Sequence, residues 1–289
     1  MIVAHLLGGL GNQLFQYSLG RALAEKNATR LKLDISAIAD NRFRPYALQP
    51  FCIQADVLTD DEAKRLGINK GRNSFLERAR AFMRRCHIKT VVESSFDFDP
   101  TVLNLHAPCY LKGYWQSPKY FEAIEPLIRR ELQVATPLRG RNIDLAREIA
   151  SNESVALHVR RSDYANNPQT SQYHGTCDRE YYYAAERLVR SRVGEIRLLV
   201  FSDDPQWVRE NLHFSSSATI VDNNPPDQGH EDLRLMAICR HHIIANSTFS
   251  WWGAWLSDNQ DKMVIAPKAW FAGAGHGTQD LIPSTWIRM

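Results

Sequence analysis

Ile2-Val3-Ala4-His5-Leu6-Leu7-Gly8-Gly9-Leu10-Gly11-Asn12 is a short apolar run that empties into glycines. From Asn12 onward, Leu14, Phe15, Leu19, Ala22 and Leu23 recur at helical spacing, so the stretch reads as strand, glycine turn and helix. Arg30-Leu31-Lys32-Leu33-Asp34 follows as a second strand ending in an acid, and residues 1–35 look like the start of a Rossmann-like unit. Gly9 and Gly11 have G-x-G spacing, but Leu14 stands where a dinucleotide fingerprint has its third glycine. A nicotinamide cofactor is correspondingly disfavoured.

Working outward, residues 35–150 carry a weaker pattern. Thr59 with Glu62 forms a capping box, Ser117-Pro118 starts a helix, and strands fall near 88–93 and 109–114. The second half alternates cleanly. Strands are expected over Val155–Val159, Ile196–Phe201, Ala218–Val221, His242–Ala245 and Met263–Ala266, and helices over Arg179–Arg192, Pro205–Leu212, Asp232–Arg240 and Phe249–Asp258. Strands alternating with helices imply a parallel sheet covered on both faces, with ligands at the carboxyl ends of the strands.

The 289 residues suit two domains, taken as 1–150 and 151–289. With 44% hydrophobic, 23% charged and 10% aromatic residues, disorder, fibres and repeat arrays are excluded. A net charge of +3, with scattered positives, argues against a nucleic-acid partner and leaves an anionic small substrate open. The Arg72, Arg78, Arg80, Arg84, Arg85 series reads as a solvated helix face in preference to a membrane-surface patch. Cys52, Cys86, Cys109, Cys177 and Cys239 have no regular spacing and are expected to be reduced core thiols. No leader is evident and no apolar run reaches the ~18 residues that cross a bilayer, so a cytoplasmic protein without a transmembrane segment is expected.

The richest segment is His158-Val159-Arg160-Arg161-Ser162-Asp163-Tyr164, at the end of an expected strand. Side chains alternate along a strand, so His158 and Arg160 share one direction while Val159 and Arg161 share the other. Arg160 is our choice for a phosphate, whose oxygens its planar, permanently charged fork matches. Asp163 could orient an arginine or cap the turn. Ser202-Asp203-Asp204-Pro205 ends another strand, with Asp204 read as a helix cap. Asn246-Ser247-Thr248-Phe249-Ser250 opens a helix, where free amides, the helix dipole and hydroxyls make either an anion seat or a plain cap.

Trp251, Trp252 and Trp255 are expected in the core, with sugar stacking as the minor alternative. Glu231-Asp232 either caps a helix or pairs with the adjacent N1 and N2 donors of a guanine. Asp97-Phe98-Asp99 is either a metal-binding D-x-D or a turn before Pro100. His230, His241, His242 and His276 lack the spacing of a zinc site, and no metal is expected.

Together, the 8–17 glycine turn, the 158–164 segment, Phe201-Ser202-Asp203-Asp204 and the 246–255 segment resemble the motifs of the bacterial-type alpha-1,2-fucosyltransferase family. Ser162 stands where that family commonly has glycine. The resemblance implies a GT-B fold, two Rossmann-like domains facing each other across a cleft. It also implies GDP-fucose as co-substrate, no cofactor, and transfer to the 2-hydroxyl of a terminal galactose, with inversion and without metal. In that setting Arg160 and the 246–250 seat would stabilise the leaving pyrophosphate, His158 and Asp232 would hold the nucleoside, and Asn12 would face the donor. Arg160, Asn12 and His158 are the catalytic candidates. The donor set is Gly9, Gly11, Asn12, Gln13, His158, Arg160, Asp163, Ser202, Asp203, Asp232, Asn246, Ser247, Thr248, Phe249 and Ser250. No general base is assigned. A galactose-terminated oligosaccharide is the expected acceptor, with peripheral contact at the inner membrane face as an option. The competing readings are a metal-dependent transferase using Asp97 and Asp99, and a non-catalytic sugar-binding module.

Overall fold

The computed structural model describes residues 1–39, 41, 44–68, 88–161, 175–272 and 277–289. It forms two compact units, Met1–Gln133 and Val134–Met289.

In the first unit β1 (Ile2–His5), β2 (Leu31–Asp34), β3 (Asp56–Val57), β4 (Lys89–Val92) and β5 (Cys109–Lys112) make a parallel sheet of order β3-β2-β1-β5-β4. The helix α1 (Leu10–Lys26) starts two residues before the position expected, and Gly20 lets it lie close on β1 and β2. A Cβ on Gly20 would come within 2.8 Å of Leu31 and 3.2 Å of Ala4. The helix also buries polar side chains, each with a partner. Tyr17 hydrogen-bonds Glu131, and Gln16 accepts the Leu7 N–H and donates to the Gly113 carbonyl. α2 (Asp60–Arg65) is capped by Thr59 and Glu62 as expected, with both halves of the box present. The Ser117-Pro118 start opens only a single 3-10 turn, Pro118–Tyr120. α3 (Glu125–Glu131) closes the unit.

In the second unit α4 (Arg141–Ala150) precedes β6 (Ser154–Val159), α5 (Arg179–Val193), β7 (Arg197–Ser202), α6 (Pro205–Asn211) and β8 (Ser217–Val221). α7 (Gly229–Ile238), β9 (His241–Ile243), α8 (Thr248–Leu256), β10 (Val264–Ala266) and β11 (Ile287–Arg288) complete it. The strands are parallel, in the order β11-β10-β9-β6-β7-β8.

Alternation along the strands creates two cores. Val155, Leu157, Val159, Leu198 and Val200 meet α5 and α6 on one face. Ala156, Leu199, Phe201 and Val221 meet α4 and α7 on the other. Each fully buried aliphatic side chain contributes about 1.5–3 kcal/mol, enough in sum to fix the register. Because Leu145 and Ile149 of α4 are buried in the second of these cores, that helix belongs to the second unit. The division therefore falls at Gln133/Val134, ahead of the expected boundary at 150.

One further expectation is corrected. Cys52 is exposed, not a core thiol, while Cys109 and Cys239 are buried and Cys177 is half-buried. Cys86, the arginine series at 72–85, Ser162, Asp163, Tyr164 and His276 lie outside the described residues. Among the described residues no helix is long and apolar enough to cross a membrane.

Candidate active site

The second sheet's carboxyl ends gather most of the residues singled out from the sequence. β6 runs out at Val159, and the two arginines beyond it diverge as strand alternation predicts. Arg161 lies over the Trp207 ring of α6, 3.7 Å from its centroid, on the Val159 face. Arg160 instead pairs with Asp203, Nη1 to Oδ2 at 3.1 Å, and is about a quarter exposed. The other Asp203 oxygen accepts the Arg161 N–H at 2.8 Å. An arginine held by a carboxylate in this way keeps its fork in place at little further entropic cost when an anion arrives. The Ser202 hydroxyl donates to the Val159 carbonyl at 2.9 Å and accepts the Asp204 N–H at 3.0 Å, so it ties two strand ends together. Asp204 caps α6 through the Trp207 N–H at 3.1 Å, as expected.

His158 points to the opposite face from Arg161. Its Nδ1 is 2.9 Å from the Ser250 hydroxyl, and Ser250 in turn can donate to the Ser247 carbonyl at 3.3 Å. Burial pushes the imidazole down to about 4, with Asp203 opposing and Arg160 reinforcing the shift, so the ring is neutral at pH 7. A neutral ring bonded to α8 orients the helix start and offers no proton for acid catalysis near neutrality.

At that helix start, Ser247 is the N-cap and accepts the Phe249 N–H at 3.3 Å. Phe249 packs on His158, ring centroids 5.6 Å apart. Asn246 is buried, with Nδ2 donating to the carbonyls of Gly175 and Trp270. Its amide braces loops, while the helix-end amides and Thr248 are the parts of this segment suited to an anion. Trp251 and Trp252 are fully buried and Trp255 nearly so, with the Trp251 indole N–H bonded to the Leu281 carbonyl. Burial removes the sugar-stacking alternative for these rings.

The neighbouring carboxylates Glu231 and Asp232 part company. Glu231 is closed into bonds from Arg234 and Asn142 and holds α7 to α4. Asp232 accepts Asn224 Nδ2 at 2.6 Å and forms no ion pair among the described residues. Burial lifts its carboxyl to about 6; the Asn224 bond lowers it and Glu231 adds to the rise.

In the first unit, Gly8 has φ +78°, and a Cβ there would come within 2.4 Å of Asn12 Nδ2. Gly9 is the N-cap of α1, Gly11 is buried within its first turn, and Asn12 Oδ1 accepts Gln116 Nε2 at 2.9 Å. Gln13 is turned inward. It donates to the Gly8 and Pro45 carbonyls and accepts the Ala47 N–H, which makes it a brace for the 45–47 loop. Asp99 accepts the Thr101 N–H at 2.9 Å and hydroxyl at 2.6 Å, the cap before Pro100 that was the alternative to a metal ligand. Among the described residues, no three His, Cys, Asp or Glu side chains are grouped to hold a metal ion.

Sequence reasoning did not find the partners that organise these parts. Asp203 as the holder of both arginines, Trp207 beneath Arg161 and Gln116 on Asn12 are all distant in sequence from what they position. A groove of about 600 Å³ lined by Arg21, Arg30, Gln54 and Asp56 lies at the amino ends of β2 and β3, the end of the first sheet opposite the glycine turn.

The model of glycosyl transferase family 11 matches residues 2–289. The chain belongs to glycosyl transferase family 11. Within or beside that family, it is 32% identical over 98% of its length to the Escherichia coli O-antigen biosynthesis glycosyltransferase WbnK, covering 99% of that protein. It is 31% identical to an Escherichia coli alpha-1,2-colitosyltransferase over 100% of this chain and 99% of the other. A rat galactoside alpha-(1,2)-fucosyltransferase 2 is 26% identical over 89% of this chain and 67% of that one. The fucosyltransferase NodZ from Bradyrhizobium superposes with a TM-score of 0.52 at 15% identity, over 88% of this chain and 92% of that chain. The family 11 chain is thus an α/β glycosyltransferase of the GT-B type, built on two parallel sheets.

Proposed function

We propose that this family 11 chain transfers L-fucose from GDP-fucose to the 2-hydroxyl of a terminal galactose, with inversion and without a metal. The observation that carries the reading is the Arg160–Asp203 pair beside the N-terminus of α8, at the carboxyl end of one sheet. In the transfer, the bond from the sugar C1 to the β-phosphate oxygen breaks and its electron pair stays on GDP. The acceptor oxygen attacks C1 from the opposite face, forming the new C1–O bond, and its proton passes to solvent water. Charge growing on the pyrophosphate is met by the Arg160 fork and by the amides of the helix start, preorganised groups that do the work of a cation. Asp232, in its ionised form, pairs with the N1 and N2 donors of guanine, and neutral His158 keeps α8 in position.

A second donor is favoured by one observation, the full-length similarity to an alpha-1,2-colitosyltransferase. Colitose is fucose without its 3-hydroxyl, so one polar contact would separate the two. The test is incubation with GDP-fucose or GDP-colitose and a panel of galactose-terminated sugars, followed by mass spectrometry and linkage analysis. A 2-linked fucosyl product is expected; a colitosyl product alone reassigns the donor, and no glycosyl product from either donor overturns the reading.

A further inference from the structure

The carboxyl end of the first sheet carries a second preorganised feature. β5 ends at Lys112, after which Gly113, Tyr114, Trp115 and Gln116 turn the chain. One carboxylate organises this turn. Glu93, the residue after β4, accepts the Tyr114 N–H at 2.6 Å and the Trp115 N–H at 2.8 Å. Gly113 allows the approach, since a Cβ there would come within 2.4 Å of the Glu93 Cβ. Trp115 has φ +57°, a left-handed conformation that bulky side chains rarely adopt. Its indole is buried edge-on against Tyr120, ring centroids 5.8 Å apart, which locks the turn from beneath. Gln116 fastens the turn to Asn12 of the glycine turn.

What this scaffold holds out is apolar. Tyr114 is 41% exposed, and Val92, at the end of the neighbouring β4, is 65% exposed. Packing gives no reason to place an aromatic side chain in solvent on a turn whose backbone is strained and clamped, and parallel sheets take their ligands at this end. A pyranose ring matches such a surface, because one of its faces is a patch of C–H groups and its hydroxyls project from the rim. An aromatic side chain supplies contact area with few rotamers to freeze.

We propose that Tyr114, its backbone N–H held by Glu93, is the platform on which the acceptor sugar ring stacks, with exposed Val92 at the end of the neighbouring strand extending the apolar surface. The inference rests on the glycosyl transfer reading and assigns its acceptor subsite to the 113–116 turn; Glu93 and Gly113 are positioning residues. The test is steady-state kinetics on the full chain with lactose as acceptor and whichever of GDP-fucose or GDP-colitose turns over. Tyr114→Ala should raise the KM for lactose about tenfold while kcat and GDP affinity stay within about twofold. Tyr114→Phe and Tyr114→Trp should restore the KM, because the ring and not the hydroxyl is used, and Val92→Ala should raise it by a smaller factor. Wild-type turnover combined with an unchanged KM in Tyr114→Ala, or a KM that Tyr114→Phe fails to restore, overturns this inference alone. No turnover by the wild type with either donor overturns the transfer reading beneath it.

Discussion

Arg160 and Arg161 are adjacent in sequence and opposite in surroundings, one held by Asp203 and the other laid on Trp207. Arg160→Ala should abolish transfer while the protein stays folded, and Arg160→Lys should recover little, because an ammonium cannot copy a two-pronged fork. Arg161→Ala should keep most activity and lose roughly 1 kcal/mol of stability in urea melts, the worth of a half-buried cation–π stack. Equal activity loss in both, with normal melting, would show that the facing argument is wrong. Asp232 adds a pH signature. Its folded carboxyl titrates near 6, above the ordinary value, so the folded state holds its proton where the unfolded chain has lost it. That group's contribution to stability is therefore greatest in acid and declines as pH rises from about 4 to about 6. If the ionised form pairs with guanine, GDP affinity should run the other way and fall as pH drops through 6. Asp232→Asn should weaken GDP binding and flatten that dependence without lowering the melting temperature at pH 7.5; calorimetry at pH 5 and 7.5 checks both.

At the level of elements, the start of α8 combines two jobs that its side chains divide. Ser247 caps the helix through the Phe249 N–H. Ser247→Ala should therefore cost about 1 kcal/mol of stability as a lost N-cap. Thr248 is not that cap, and if its hydroxyl meets phosphate, Thr248→Ala should weaken GDP binding by about 1–3 kcal/mol. Titration of both variants with GDP separates the two roles. The turn before α1 is constrained differently, by backbone. Gly8→Ala should destabilise the fold by about 1–2 kcal/mol, since φ +78° is costly for a residue with a Cβ and the added carbon meets Asn12. Denaturant melts together with turnover measure whether Asn12 is displaced.

Across the whole molecule, the two units invite a division of labour, with donor recognition in the second and acceptor recognition in the first. GDP should protect amides at 158–161, 202–204 and 246–250 from hydrogen exchange. Protection concentrated before residue 100 would reverse the assignment. Turnover should survive excess chelator, and Asp97→Asn should remain active; loss of rate in chelator that manganese or magnesium restores would return the D-x-D to the site.

Much of this was legible along the chain, because hydrophobic periodicity is a local property and each strand and helix must bury its own face. The strand, glycine turn and helix at residues 2–26, the alternation after residue 150, the Thr59–Glu62 capping box and the burial of Trp251 and Trp252 all follow from neighbours a few residues apart. The opposed directions of Arg160 and Arg161 follow from the pleat of a strand in the same way. Tertiary structure decided the rest. Which acid holds Arg160, which of Glu231 and Asp232 is closed into an ion pair, and that Gln13 and Asn246 brace loops depend on partners brought in from other elements. The 150 boundary shifted for the same reason, since nothing local tells α4 which sheet will bury Leu145 and Ile149. Hydrogen bonds and ion pairs between distant residues leave no period in a single sequence, so only the folded chain shows them.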